Sequence, residues 1–124
     1  MNYYYNLKLL IESVIKKYNK KEALCFSDRT YSYVDLSEAS KMYMSYFEKN
    51  NILKGFVVAI ISSKSFHNYA LMIACLRSGV AYVNIDSNNP NNRTLDILNI
   101  CGAHLLFHDG VPLDQTVVKE CDLN

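Results

Sequence analysis

The chain reads as an α/β protein with a parallel βαβαβ core, preceded by a helix and a short hairpin. Three observations predict this class. Residues 56–62, FVVAIIS, form a continuous apolar, β-branched run, the pattern of a strand covered on both faces rather than half in water. A second such run, VAYVNI, occupies 80–85, and a helix-length segment lies between the two. Strand, helix, strand, helix, strand with joints of a few residues requires parallel pairing and right-handed crossovers.

Each element has its own signal. Leu7, Leu10, Ile11, Val14, Ile15 and Tyr18 follow the i, i+3, i+4, i+7 spacing of an amphipathic helix, with Lys8, Glu12, Lys16 and Lys17 on the other side. EALCFSDRTYSY gives two short β-prone runs about a Ser27-Asp28-Arg29 turn, a hairpin pattern. Leu36, Ala39, Tyr43 and Phe47 restore helical spacing from Val34 or Asp35 onward, and Asn50, Asn51 and Gly55 stop it. After FVVAIIS, Ser65 is placed to cap a helix running to about Ser78, whose centre YALMIACL is apolar almost all round and needs protein cover. VAYVNI is read as a second strand buried on both faces. PNNRTLDILNICG is a third core helix, with Pro90 at its first position and Gly102 at its end, and HLLF is the last strand. The tail DGVPLDQTVVKECDLN shows turn chemistry and one β-prone TVV.

Composition bounds the function. With 124 residues, 50% of them hydrophobic, the chain suits one domain with a real core. Lys+Arg 13 against Asp+Glu 12 leaves a formal charge of +1, so no basic field exists to hold nucleic acid or an anionic membrane surface. No apolar run approaches the roughly 20 residues that span a bilayer. The first residues also lack a basic start, a long apolar segment and a small-residue cleavage site, which makes a cytoplasmic protein the expectation. Cys25, Cys75, Cys101 and Cys121 form no C-x-x-C pair, and three of them stand in the apolar contexts ALCF, IACL and NICG. They read as free buried thiols rather than a zinc or redox site.

In an open parallel sheet a ligand is expected beyond the carboxyl ends of the strands. Two loops lie there, SSKS at 62–65 and DSNNP at 86–90. SSKS could seat an anion through backbone N–H groups and Lys64, but it has no glycine to wrap a phosphate; a cap and a solvated lysine is the plainer reading. DSNNPNNR opens like a calcium loop with Asp86 and Asn88. Pro90, Asn91 and Ile97 then stand where a ligand, the turning glycine and the closing Glu are needed, which excludes calcium. Asn92-Arg93-Thr94 is a glycosylation sequon by letters alone. His67, His104 and His108 have no partners at ligand spacing, and His104 reads as a structural histidine beside a strand. Tyr3, Tyr4 and Tyr5 lack the basic neighbours of a base-stacking platform. No catalytic, cofactor-binding or metal residue is assigned.

LRSGVAYVNIDSNNPNNR, residues 76–93, carries a resemblance. It is similar to the N-terminal region of adenylate-forming (AMP-binding) enzymes. Within them it stands closest to the amino-acid adenylation domains of nonribosomal peptide synthetases and to stand-alone amino-acid-activating ligases. That family typically shows Leu-Lys-Ala-Gly-x-Ala-Tyr-Val-Pro-Leu-Asp-Pro, then a proline and an arginine. Leu76, Arg77, Ser78, Gly79, Ala81, Tyr82, Val83, Ile85, Asp86, Pro90 and Arg93 stand at the corresponding places. YSYVDL resembles the family's Leu-Thr-Tyr-x-Glu-Leu, and KGFVVAIISSKSFHNYALMIACL and CGAHLLF resemble the strands and helix around the main motif. Asn84 and Ser87 replace the two prolines, and Asn92 stands where Glu often precedes the arginine.

The resemblance runs over roughly residues 5 to 108 and implies that 1–124 is an N-terminal segment of an adenylation domain, incomplete relative to the family. It implies a protein that joins ATP, with magnesium, to a carboxylate as an acyl-adenylate, releases pyrophosphate and usually passes the acyl group to a thiol. The phosphate loop and its lysine, the adenine-binding aromatic, the ribose-contacting acid and the late lysine of that chemistry are absent from this chain. The expectation is therefore a scaffold segment without the catalytic motifs, inactive alone and partnered by the rest of the enzyme or by a second copy. A carrier protein would join it in the full enzyme. A non-catalytic module pairing with a separately encoded remainder, and a small flavodoxin-like nucleotide binder, are the competing readings.

Overall fold

The computed structural model describes residues 7–62, 64–108 and 110–113. Helix α1 spans Leu7–Tyr18, the hairpin strands β1 and β2 span Glu22–Cys25 and Thr30–Ser32, and α2 spans Tyr33–Lys49. The core follows as β3 (Val57–Ser62), α3 (Phe66–Ser78), β4 (Ala81–Asp86), α4 (Asn91–Cys101), β5 (Leu105–His108) and β6 (Val111–Leu113). The larger sheet runs β4-β3-β5-β6, with β3 parallel to both β4 and β5, and β6 antiparallel to β5. The hairpin β1-β2 forms its own antiparallel pair.

The central strand shows why its sequence is apolar without interruption. Val58 and Ile60 face one core with Phe47 of α2, Leu71, Ala74 and Cys75 of α3, and Phe107 of β5. Ala59 and Ile61 face the other core with Ile85, Leu98 of α4 and Leu106. Alternate side chains of one strand thus fill two layers, helices α2 and α3 on one side and α4 on the other. Among the thirteen residues of α3 only His67 is exposed, as an apolar helix centre demands.

Local chemistry sets the ends. Ser32 caps α2 through a reciprocal capping box: its Oγ accepts from Asp35 N at 3.1 Å while its own N–H donates to Asp35 Oδ2 at 2.9 Å. The helix therefore starts at Tyr33, one residue before the earliest start read from spacing. Ser65 caps α3, accepting from Asn68 N at 3.3 Å. Gly79 closes α3 in the left-handed region at φ 70° and turns the chain into β4. Pro90 is the N-cap of α4 rather than its first residue, so it ends the loop instead of beginning the helix.

Three readings are corrected. VAYVNI is covered less fully than its pattern predicts: Val80 and Tyr82 reach one core and Val83 and Ile85 the other, but β4 is an edge strand of the described sheet, with Ala81, Asn84 and Asp86 exposed. An apolar run sets the capacity for burial, and the neighbours decide whether it is used. Cys25 is exposed, with its thiol 3.7 Å from Glu22 Oε2, because the hairpin turns it outward; Cys75 is buried and Cys101 half-buried. Val111–Leu113, within the part of the tail whose sequence shows turn chemistry, form a strand, β6, because the chain doubles back onto β5. TVV, Cys121 and the tyrosines at 3–5 lie outside the described residues. Among the described residues no helix is long and apolar enough to cross a membrane.

Candidate functional site

The two loops singled out by topology meet. Lys64, Asn68 and Tyr69 from the start of α3 and Asn84, Asp86, Ser87 and Asn88 from the end of β4 line one open cleft of about 630 Å³. The parallel register places Ser62 opposite Asp86, so both loops leave the sheet at the same level. Lys64 adopts φ 67°, a left-handed conformation unusual for a residue with a Cβ, and this sharp turn lets Ser65 cap the helix directly after the strand.

The cleft's polar groups are largely engaged with one another. Asp86 Oδ1 accepts from Asn88 N at 2.8 Å, and Asp86 O accepts from Asn89 N at 3.1 Å, an Asx-type turn. The side-chain amides of Asn68 and Asn84 both donate to Met72 Sδ at 3.6 Å. Asn68 is 5% exposed and its Oδ1 is buried without a hydrogen-bond partner. Among the lining residues Lys64 is the one cation and Asp86 the one carboxylate. This set does not fit a nucleoside triphosphate and its magnesium, which need convergent donors and concentrated positive charge.

The other candidates are structural. His104 Nδ1 accepts from Val57 N at 3.0 Å and its ring stacks on Phe56 with centroids 4.5 Å apart, so it fastens the start of β3 beside β5. His67 Nδ1 lies 3.5 Å from the Tyr43 hydroxyl, which donates to Gly110 O at 3.1 Å. Burial holds the Tyr43 phenol above its ordinary pKa. His108 stands with Asp86 and Thr94 around a small recess at the far side of the sheet. Within the sequon Asn92 and Arg93 are exposed on α4, whereas Thr94 is 3% exposed and faces the interior. Among the described residues no group of three His, Cys, Asp or Glu side chains could hold a metal.

Spacing alone did not bring out the best-defined polar cluster. Arg77, 6% exposed, donates through Nη1 to Ser40 Oγ at 2.8 Å and Ser37 Oγ at 3.1 Å. Its Nε donates to Glu12 Oε1 at 2.6 Å and its Nη2 to Glu12 Oε2 at 3.2 Å. The cluster ties α1, α2 and α3 together at the end of the sheet opposite the cleft. The available signal was an arginine inside an apolar helix, since a buried cation requires a partner.

The comparisons with known proteins agree on one relationship. The model of the AMP-binding enzyme family matches residues 11–123. Tyrocidine synthase 3 of Brevibacillus parabrevis is 28% identical over 118 residues, covering 93% of this chain and 2% of the synthase. A bassianolide nonribosomal cyclodepsipeptide synthetase of Beauveria bassiana is 30% identical over 103 residues, covering 82% of this chain and 3% of the synthetase. The N-terminal subdomain of Klebsiella oxytoca NpsA superposes with a TM-score of 0.78 at 25% identity, over 94% of this chain and 33% of that subdomain. The chain therefore spans a small part of these synthetases and about a third of the matched subdomain.

Proposed function

Since this chain belongs to the AMP-binding enzyme family, we propose that it is the first scaffold segment of an ATP-dependent amino-acid-activating ligase. The supporting observation is the extent of the match: 94% of the chain superposes on 33% of the NpsA N-terminal subdomain. In this reading the segment supplies one wall of the large N-terminal domain. Gly79 and Pro90 fix how helix, strand and helix join. ATP, magnesium and the amino acid bind to residues outside positions 1–124, and a carrier protein is the acceptor in the complete enzyme. The edge of β4 that no described strand pairs and the exposed apolar side chains Leu7, Leu9, Leu10 and Ile100 belong against the rest of that enzyme or a second copy.

Amino-acid-dependent exchange of pyrophosphate into ATP tests the reading. The purified 124-residue chain is expected to give no exchange above a no-protein control, and turnover would overturn the scaffold assignment. The coding sequence after Asn124 separates the two forms of the proposal. An in-frame phosphate loop supports one continuous enzyme, whereas a stop codon and a separately encoded remainder support a split module.

A further inference from the structure

Helix α1 buries none of its twelve residues, and Leu7, Leu9 and Leu10 in its first turn are 57%, 45% and 39% exposed. It packs on α3 and, to a lesser degree, on α2. A twelve-residue helix is marginal in water without tertiary support, so its attachment governs whether it exists. That attachment has a polar centre: both oxygens of Glu12 engage the guanidinium of Arg77, at 2.6 and 3.2 Å, while the Glu12 side chain keeps 41% exposure. The chain just beyond α1 is held separately. Asn19 O accepts from Val34 N at 2.8 Å and Lys21 O accepts from Tyr33 N at 3.0 Å, which fixes residues 19–21 to the start of α2.

We infer that α1 is a strap, hinged at residues 19–21, that detaches from α2 and α3 and unwinds while the sheet stays folded, with the Glu12–Arg77 pair as its clasp. Opening is local because Arg77 keeps its Nη1 bonds to Ser37 and Ser40 when Glu12 leaves, so the buried cation is never without partners. The two cores around β3 draw no buried residue from α1. Segments that bury little apolar surface open at lower free energy than the core. The open form presents the Nε and Nη2 donors of Arg77 on the uncovered face of α3. This conformational device does not depend on the family reading.

Hydrogen exchange followed by mass spectrometry tests the clasp, comparing α1 peptides with peptides from β3 in the same molecule. In the native chain α1 is expected to exchange faster than β3. Glu12→Gln should speed α1 further by roughly tenfold, about what the loss of a charge-assisted, partly exposed pair costs, and leave β3 unchanged. Lys16→Gln, which removes an exposed charge from the last turn of the same helix, should speed α1 by only about twofold. Joint exchange of α1 and β3, an equal acceleration of both in Glu12→Gln, or no response of α1 to that change would each overturn the inference.

Discussion

The turn between β5 and β6 offers a quantitative test of how tightly this fold is packed. Gly110 adopts φ 86°, and a Cβ placed on it would stand 2.4 Å from the Tyr43 hydroxyl and 2.7 Å from His67 Cβ. Gly102 provides the matched control: it adopts φ 62°, and a Cβ there meets nothing within 4 Å. Gly102→Ala should therefore cost only the left-handed backbone penalty, about 1 kcal/mol. Gly110→Ala adds a clash that can be relieved only by moving the turn away from α2 and α3. That movement brings an overpacking cost of roughly 1 to 3 kcal/mol and the loss of the Tyr43–Gly110 hydrogen bond, about 1 kcal/mol. The expected total is roughly 3 to 5 kcal/mol. Urea unfolding followed by circular dichroism measures both variants. Tyr43→Phe removes the nearest atom of the clash and the hydrogen bond together, so its loss combined with Gly110→Ala should fall short of the sum of the two by about 1 kcal/mol. Equal losses at Gly110 and Gly102, or strict additivity with Tyr43→Phe, would refute the reasoning.

Two further outcomes follow from the same structure. Gly79→Val should lower the melting midpoint and cost roughly 1 to 3 kcal/mol, because φ is 70° there and a Cβ would press on Lys54 Cγ at 3.3 Å; an unchanged midpoint would contradict the left-handed turn. Burial pushes the Cys75 thiol from 9.0 up to about 12, so its neutral form is favoured by folding. The stabilisation is complete below pH 9 and is lost as pH rises toward about 12; Cys75→Ala should flatten the alkaline fall in unfolding free energy, and an identical fall in both proteins would disprove the assignment.

How much was legible in the sequence depends on the range over which each feature is decided. The helices, the capping role of Ser65 and the central strand were readable because their causes are local: periodicity, a short polar side chain before a helix, and an uninterrupted β-branched run. The family motif was readable for the same reason, since it occupies eighteen consecutive positions, 76–93. The meeting of the loops at Lys64 and Asp86 followed from parallel topology, which short joints already imposed.

Tertiary structure alone decided the rest. FVVAIIS and VAYVNI look equally buried as strings, yet among the described residues β3 lies between two strands while β4 has one neighbour, and only assembly of the sheet distinguishes them. Glu12 read as a solvent-facing helix residue because its partner, Arg77, is 65 residues away and comes within reach only after α1 folds onto α3. Tyr43 and Gly110, 67 residues apart, meet for a similar reason, and β6 exists because β5 offers it an edge. Backbone conformation is set by sterics within a few residues, and sequence records it directly. Burial and pairing are set by which distant surfaces exclude water from one another, so they are properties of the assembled fold.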